Sequence, residues 1–364
     1  MKFKIIRSAF VEGLKSVQNI VPSKGSLPIL QNVLIEAIDN TLKLTTTDLD
    51  ITIISRVDCK VEASGITTLP VKHLFNTILK APEGEIEIEV DDNDQALIKA
   101  GNSRTKINGK KESEFPRISQ DEESCKYNIE AAVIKEMLRK TSYAASQDDT
   151  RRTLKGVLMS FKDKKLIMVA TDGRRLAMVE NEVEYPADFE KDIVLPSKTV
   201  QELLRSIGNE GEIKITVCKN KICLELSNVT IYSKLMEDAY PNYKQVIPKE
   251  INETVVIDRQ LLIDAIDRAS VMTMDEAHSI KLIFEENKLI VTSTSSEAGE
   301  AKDVVAIKYA GEKIEIMFNP GYVLDPLKVI DDNEITFNLN NGHSPAIIKC
   351  SVPFLYVLMP LRIN

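Results

Sequence analysis

The sequence predicts an α+β fold of three tandem repeats, and three observations support this prediction. Short segments of alternating apolar residues, typical of strands, are interspersed with amphipathic helical segments over all 364 residues. The same order of segments recurs three times at nearly constant spacing. Hydrophobic and charged fractions of 43% and 28% are typical of a globular protein. We therefore expect three domains, at residues 1–121, 122–249 and 250–364, each large enough to enclose a core.

A strand followed by a helix opens each repeat. The strand lies at residues 3–6, 127–129 and 255–257, and the next residues carry apolar side chains four positions apart, as on one face of a helix. These apolar positions coincide in the three repeats: Phe10, Ile134 and Leu262, then Leu14, Leu138 and Ile266. The next segment is a strand that ends in small polar residues, and its three copies, at 42–48, 166–172 and 289–295, align without gaps.

Each repeat is itself double. A second strand at 68–70, 194–196 and 317–319 precedes a second helix, which ends near Lys80, Ile207 and Ile330. Each of these helices leads into a further strand, at Glu85–Val90, Glu212–Val217 and Glu334–Leu339. Turn residues then separate the remaining β-rich segments. The pattern predicts six βαβββ-like halves, two in each repeat.

The sequence contains little that a catalytic or metal site requires. Its three histidines, His73, His278 and His343, lie far apart, and no glycine-rich phosphate-binding loop is present. Five scattered cysteines are typical of a reducing compartment. We find no signal-peptide pattern and no apolar run of the roughly 18 residues that cross a membrane. These features favour a cytoplasmic binding protein without cofactor, metal or membrane partner.

Charge is distributed unevenly along the chain. The net charge of −8 argues against a uniformly basic nucleic-acid binder, but residues 125–249 carry 21 basic and 18 acidic groups, a net of +3. Basic residues recur on equivalent helices and in one loop: Lys72, Lys80, Lys135, Arg139, Lys140, Arg151, Arg152, Lys155, Lys198 and Arg205. This recurrence favours one basic surface that contacts phosphates without reading sequence. For any single residue, a solvated helix face remains the alternative.

Four segments carry a resemblance to a known family: 27–30, 170–177, 240–248 and 356–362. They resemble the bacterial sliding clamp, the beta subunit of the DNA polymerase III holoenzyme, and the resemblance extends over the whole chain. It implies a head-to-tail homodimer whose six domains close into a ring around double-stranded DNA, without sequence specificity. It also implies a non-catalytic processivity factor, cytoplasmic and nucleoid-associated during replication. The implied partners are the polymerase alpha subunit, the clamp loader delta subunit and other clamp-binding repair and replication proteins.

The resemblance also implies three sets of site residues. A hydrophobic peptide pocket between the central and C-terminal domains is implied at Leu154, Thr171, Gly173, Arg174, Arg175, Leu176, Pro241, Val246, Asn319, Tyr322, Val357, Leu358, Met359, Pro360, Leu361 and Arg362. DNA contacts are implied at Lys24, Lys72, Arg151, Arg152, Lys198 and Lys234. The dimer contact is implied at Lys72, His73, Thr105, Lys106, Val271, Met272, Glu297 and Glu300.

Three positions depart from the family pattern. Thr105 stands where an interface phenylalanine can occur, His73 where a lysine can occur, and Gln245 replaces a basic residue at the pocket rim. The first two departures predict a dimer contact that is weaker or of different composition. A non-replicative scaffold, or an enzyme built on the same repeat, remains the alternative function.

Overall fold

The computed structural model describes residues 1–22, 27–117, 125–185, 190–273, 279–295 and 299–361. Within these ranges the chain forms 25 strands and six α-helices. Every repeat contains two successive βαβββ units, which confirms the α+β prediction and the doubling of each repeat. The first repeat has one additional strand, at Lys60–Ala63.

The elements are numbered in chain order. The first repeat contains β1 (Lys2–Ile6), α1 (Arg7–Val17), β2 (Asn32–Ile38), β3 (Thr41–Thr47), β4 (Ile51–Asp58), β5 (Lys60–Ala63), β6 (Gly65–Pro70), α2 (Val71–Lys80), β7 (Glu85–Val90), β8 (Gln95–Ala100) and β9 (Ser103–Asn108). The second contains β10 (Cys125–Glu130), α3 (Ala131–Thr141), β11 (Gly156–Lys162), β12 (Lys165–Thr171), β13 (Arg175–Glu182), β14 (Lys191–Pro196), α4 (Ser197–Ser206), β15 (Glu212–Val217), β16 (Lys221–Glu225) and β17 (Val229–Lys234). The third contains β18 (Glu253–Asp258), α5 (Arg259–Ser270), β19 (Ile280–Glu285), β20 (Lys288–Ser295), β21 (Gly299–Ala306), β22 (Ile314–Phe318), α6 (Pro320–Val329), β23 (Glu334–Leu339), β24 (Ala346–Lys349) and β25 (Phe354–Leu358).

Helix starts follow local sequence signals. The Asp258 carboxylate caps α5 by accepting a hydrogen bond of 2.9 Å from the Leu261 N–H. At α6, Asn319 is the N-cap and Pro320 occupies the first helical position, where its missing N–H costs nothing. These caps fix the helix start at Asn319, one of the predicted pocket residues.

The strands of one βαβββ unit do not remain in one sheet. The first strand of each repeat pairs with the strand that follows the second helix of the same repeat. Thus β1 pairs with β7, β10 with β15 and β18 with β23. All the strand pairs described are antiparallel. The resulting strand orders are β5-β1-β7-β8-β9, β10-β15-β16-β17-β4-β3-β2-β6, β14-β11-β12-β13-β25-β24-β23-β18 and β21-β20-β19-β22.

The chain divides into two compact units. Unit 1 comprises Met1–Ala132 and Gln201–Leu235, and unit 2 comprises Val133–Val200 and Met236–Asn364. The second repeat contributes to both units, because β17 pairs with β4 of the first repeat and β13 pairs with β25 of the third. The boundaries predicted from the sequence follow the repeats instead and stay predictions.

Each unit encloses apolar clusters of its own. In unit 1, the rings of Phe3 and Phe10 pack edge to face with centroids 6.3 Å apart. In unit 2, one buried cluster lies across the sheet that contains β13 and β25, and it consists of Leu158, Val169, Leu176, Val194, Ile347 and Val357. Partly buried aromatic residues from the 240–247 segment pack against it. This cluster supports the region where the predicted pocket residues lie.

Candidate functional site

A tight turn between β12 and β13 forms the centre of the predicted pocket. The Thr171 hydroxyl donates to the Arg175 carbonyl at 2.6 Å and accepts from the Gly173 N–H at 3.1 Å. Asp172 Oδ1 accepts from the N–H groups of Arg174 and Arg175 at 2.8 and 3.0 Å. Gly173 has a φ of +85°, in the left-handed region that glycine adopts without strain. Four hydrogen bonds thus hold this turn in one conformation.

The C-terminal segment is joined to this turn by backbone hydrogen bonds. In the sheet, Leu176 lies opposite Val357. Beyond β25, the Met359 N–H donates to the Arg174 carbonyl at 2.9 Å, and the Leu361 N–H donates to the Met317 carbonyl at 2.8 Å. Residues 359–361 therefore run from the turn, at Arg174, to the end of β22, at Met317.

Burial divides the predicted pocket residues into two groups. Leu176, Val357 and Leu358 are at most 1% exposed, so their side chains belong to the core beneath the site. Met359 and Val246 are 37% and 42% exposed. Both of these line a cavity of about 590 Å³ bordered by residues 245–250 and the loop after β23. The exposed pair is therefore available to an apolar ligand, whereas the buried group supports it.

Arg175 connects the turn to neighbouring elements. Its Nε donates to Asp172 Oδ2 at 3.0 Å, its Nη2 donates to the Tyr143 carbonyl at 2.7 Å, and its Nη1 donates to Asp325 on α6. The Arg175 side chain is 10% exposed. A planar guanidinium can serve all three acceptors in fixed directions, which an ammonium cannot. Arg175 is thus a structural link more than an exposed contact.

Tyr322 is oriented by the same network. The Arg175 Cζ lies 4.4 Å from the centroid of the Tyr322 ring, which is the geometry of a cation–π contact. The Tyr322 N–H donates to the Asn319 cap at 3.3 Å, and the Tyr356 hydroxyl donates to the Tyr322 carbonyl at 2.7 Å. Backbone and ring of Tyr322 are consequently held from three directions, while the side chain stays half-buried.

The electrostatics of the site keep Arg175 charged. Burial opposes the charge, but interactions with Tyr356, Asp325 and Asp172 outweigh it and raise the pKa of Arg175 above its usual value. Burial likewise raises the pKa of Tyr356, so its hydroxyl stays protonated and can donate. Arg175 therefore stays charged and Tyr356 neutral across the physiological pH range.

The remaining predicted pocket residues surround this centre. Leu154 ends a 3-10 turn at Arg152–Leu154 and is half-buried, and Pro241 is exposed. Pro360 and Leu361 are half-buried, and Arg174 is exposed. Arg362 lies outside the described residues.

The predicted DNA-binding residues are exposed but differ in their contacts. Lys72 on α2, Lys198 on α4 and Arg152 are exposed. Arg151 Nη1 donates to the Asp172 carbonyl at 2.7 Å, so this side chain contacts the pocket turn. Lys234 Nζ lies 2.9 Å from Asp50 Oδ1. Lys24 lies outside the described residues.

The predicted dimer residues cluster at two sheet edges. Thr105 and Lys106 belong to β9, and Glu300 belongs to β21; among the described strands, each of these two is the last in its sheet. Val271 follows α5 and is 61% exposed, with Met272 half-buried beside it in sequence. Lys72 and His73 are exposed on α2. Glu297 lies outside the described residues.

Sequence reasoning missed the residues that position Arg175. Asp172 follows Thr171, and the first repeat has the same Thr-Asp pair at Thr47 and Asp48. This recurrence is a sequence signal that could have identified Asp172. Tyr143, Asp325 and Tyr356 come from separate elements and converge only in the folded unit. No spacing in the sequence indicates that convergence.

In the described part of the chain, no group of three or more His, Cys, Asp or Glu side chains is arranged to hold a metal ion. Of the helices described, none is both long and apolar enough to cross a membrane.

Comparison with known proteins follows the three repeats. Residues 1–119, 128–242 and 244–362 match the family models described as the N-terminal, central and C-terminal domains of the DNA polymerase III beta subunit. A beta sliding clamp from Chlamydia muridarum is 31% identical, and the match covers 100% of both chains.

Solved structures agree with these matches. A DNA polymerase III beta subunit from Pseudomonas aeruginosa bound to griselimycin superposes with a TM-score of 0.95 and is 31% identical in sequence. A DNA polymerase sliding clamp from Bacillus subtilis superposes with a TM-score of 0.95 and is 27% identical. Each match covers 100% of both chains.

Proposed function

The chain belongs to the DNA polymerase III beta subunit family of sliding clamps, which are non-catalytic processivity factors, and we propose that it acts as a head-to-tail homodimeric ring around double-stranded DNA. Self-association and the binding of clamp partners are properties of this family. Within such a ring, the polymerase is held near DNA by effective concentration, so that it rebinds before diffusing away.

The single observation that carries the homodimer is the pair of sheet edges. The two eight-stranded sheets each join the second half of one repeat to the first half of a neighbouring one, through β17–β4 and β25–β13. The strand equivalent to β17 in the first repeat is β9, and the strand equivalent to β4 in the third repeat is β21. Neither has that partner among the described residues. Unpaired edges favour pairing with another chain.

Internal symmetry also predicts the register of this contact. Thr52 lies opposite Tyr232 in the first junction, and Leu176 opposite Val357 in the second. The equivalent residues at the free edges are Glu300 and Lys106, so Ala301 of one protomer should lie opposite Thr105 of its partner. A β9–β21 contact is heterologous, and it closes into a ring of two chains when the rotation between them is two-fold.

The pocket and the basic residues complete the proposal. Val246, Met359 and Tyr322 offer an apolar surface to peptides of the polymerase alpha subunit, the clamp loader delta subunit and other clamp-binding repair and replication proteins. Because Met repacks easily, Met359 suits a site shared by several partners. Lys72, Arg152 and Lys198 are exposed, as contacts with DNA phosphates require. Arg151 and Lys234 each have a hydrogen-bond partner within the chain.

The proposal is tested by retention on DNA of different topology. The purified protein, loaded by its clamp loader with ATP onto nicked circular DNA, should co-elute with the circle at high salt, because a closed ring is held by topology and not by phosphate contacts. Cutting the circle should release it. Retention on linear DNA equal to that on the circle, or loss from the circle at high salt, contradicts the ring.

A further inference from the structure

Unit 1 contains a turn that repeats the geometry of the pocket turn. The Thr47 hydroxyl donates to the Ile51 carbonyl at 3.0 Å and accepts from the Leu49 N–H at 3.1 Å. Asp48 Oδ1 accepts from the N–H groups of Asp50 and Ile51 at 3.0 and 2.8 Å. These are the same four hydrogen bonds that hold the turn between β12 and β13 in unit 2.

The adjoining strand repeats as well. The Lys234 N–H donates to the Asp50 carbonyl at 2.9 Å, just as the Met359 N–H donates to the Arg174 carbonyl at 2.9 Å. Lys234 thus occupies the backbone position of Met359, and Asp50 that of Arg174. The first junction between repeats therefore builds the same frame as the candidate pocket, with different side chains.

Leu49 shows that the side chains at this second frame are specialised. Its φ is +81°, close to the +85° of Gly173 at the equivalent position. A bulky side chain in this left-handed region carries strain. Leu49 is nevertheless 46% exposed, so core packing does not account for it. The strained backbone instead holds an apolar side chain at the mouth of the site.

Two cavities of about 400 and 210 Å³ lie beside this turn. Both are lined by Pro116, Arg117 and Tyr232, which makes them parts of one groove, here called the unit 1 groove. Leu34, Ile54 and Ile66 line one part, and Leu49 lines the other. Its lining thus combines apolar and charged side chains, and the volume of the larger cavity is within the range of sites that take small ligands or peptide side chains.

The charge of the unit 1 groove differs from that of the chain. Its lining contains five basic residues, Lys43, Arg56, Arg117, Lys221 and Lys234, and three acidic ones, Glu36, Asp50 and Glu112. The lining is therefore net positive by two charges on a chain of net charge −8. A groove of positive charge and apolar lining complements an acidic segment that carries apolar side chains.

The geometry points to the unit 1 groove as a second protein-docking site, which takes an acidic peptide with apolar anchors. Only the comparison with the unit 2 pocket rests on the proposed function; the cavities, charges and strained Leu49 are independent of it. The basic rim steers the carboxylates, and Leu49 with Tyr232 contacts the apolar anchor.

Three fluorescein-labelled dodecapeptides test this assignment with the full-length protein. Each carries the same four leucines, together with glutamates, glutamines or lysines at the other positions. Fluorescence anisotropy should show the glutamate peptide binding about tenfold more tightly than the glutamine peptide, and the lysine peptide not binding measurably. Arg56→Glu should reduce glutamate-peptide affinity about fivefold, because it reverses one rim charge.

Leu49→Gly is the second variant, and it suits the backbone because glycine adopts this φ freely. It should also reduce glutamate-peptide affinity about fivefold through loss of apolar contact, with no fall in melting temperature and unchanged retention on circular DNA. Met359→Ala is the matched control in unit 2. It should weaken a polymerase alpha-subunit peptide and leave the glutamate peptide unaffected.

Three outcomes overturn the assignment. The first is equal affinity for the glutamate and glutamine peptides. The second is a glutamate-peptide affinity that falls in Met359→Ala and not in the unit 1 variants. The third is displacement of the glutamate peptide by a 20-base-pair DNA duplex whose own binding is lost in Arg56→Glu. The last would make the groove a phosphate-binding surface. None of them bears on retention of the ring on DNA, so failure here is distinguishable from failure of the proposed function.

Discussion

At the scale of single residues, neighbouring side chains of the same type have different roles. Arg151 and Arg152 are adjacent, basic and exposed, and the resemblance assigns both to DNA. In the structure, Arg151 donates to the Asp172 carbonyl at 2.7 Å and lies over Gly173, where an added Cβ would be 2.9 Å from its Nη1. It therefore supports the pocket turn as well as adding positive charge.

This difference predicts separable effects of two substitutions. Arg151→Ala should reduce the affinity for a polymerase alpha-subunit peptide about fivefold, because the turn loses an exposed charge-assisted hydrogen bond of about 1 kcal/mol. Arg152→Ala should leave peptide affinity unchanged. Each should lower the salt dependence of DNA association by about 0.9 in log–log slope if it removes one phosphate contact. Anisotropy measures both quantities, and equal peptide affinities of the two variants contradict the role of Arg151.

At the scale of elements, the sequence was sufficient for order and type but not for pairing. The strand prediction at Glu85–Val90, Glu212–Val217 and Glu334–Leu339 is confirmed residue for residue, because alternating burial leaves a period of two in the sequence. The pairing of β1 with β7 was not predicted, since it depends on which sheet each strand joins. Likewise, Tyr143 and Asp325 meet at Arg175 only through tertiary packing.

The edge strands give a prediction at the same scale. Backbone bonds from Lys234 to Asp50 and from Met359 to Arg174 fix which cross-strand pairs exchange hydrogen bonds at the two junctions. By equivalence, Ala301 and Thr105 of the partner form a non-hydrogen-bonded pair, whose side chains lie close together on one face. Thr105→Cys combined with Ala301→Cys should therefore form an intermolecular disulfide under mild oxidation.

Non-reducing electrophoresis measures this cross-link. The double variant should run as a two-chain species, whereas Thr105→Cys with Glu300→Cys should remain uncoupled, because successive side chains on a strand point to opposite faces. Efficient cross-linking of the shifted pair, or none of either, would show that the register inferred from the repeats is wrong.

At the scale of the whole molecule, the net charge of −8 describes a sum over surfaces with different roles. The central repeat carries a net of +3 over residues 125–249, and the unit 1 groove is positive by two. A ring that slides needs a mild attraction for phosphates where DNA passes, since strong contacts would slow sliding. In the proposed ring, retention is a property of closure, and closure depends on the proposed β9–β21 contact.

The cysteine pair tests ring closure directly when oxidation before DNA loading is compared with oxidation after loading. When Thr105→Cys/Ala301→Cys is oxidised before loading, both contacts are locked, and the protein should not be loaded onto circular DNA. When it is loaded first and oxidised afterwards, it should remain on the circle even in SDS, because the chains form a covalent ring around the duplex. Linearising the DNA should release it, and reductant should release it from the intact circle. Equal loading before and after oxidation would mean that DNA does not pass through the ring, and that the polymerase is held by surface contacts alone.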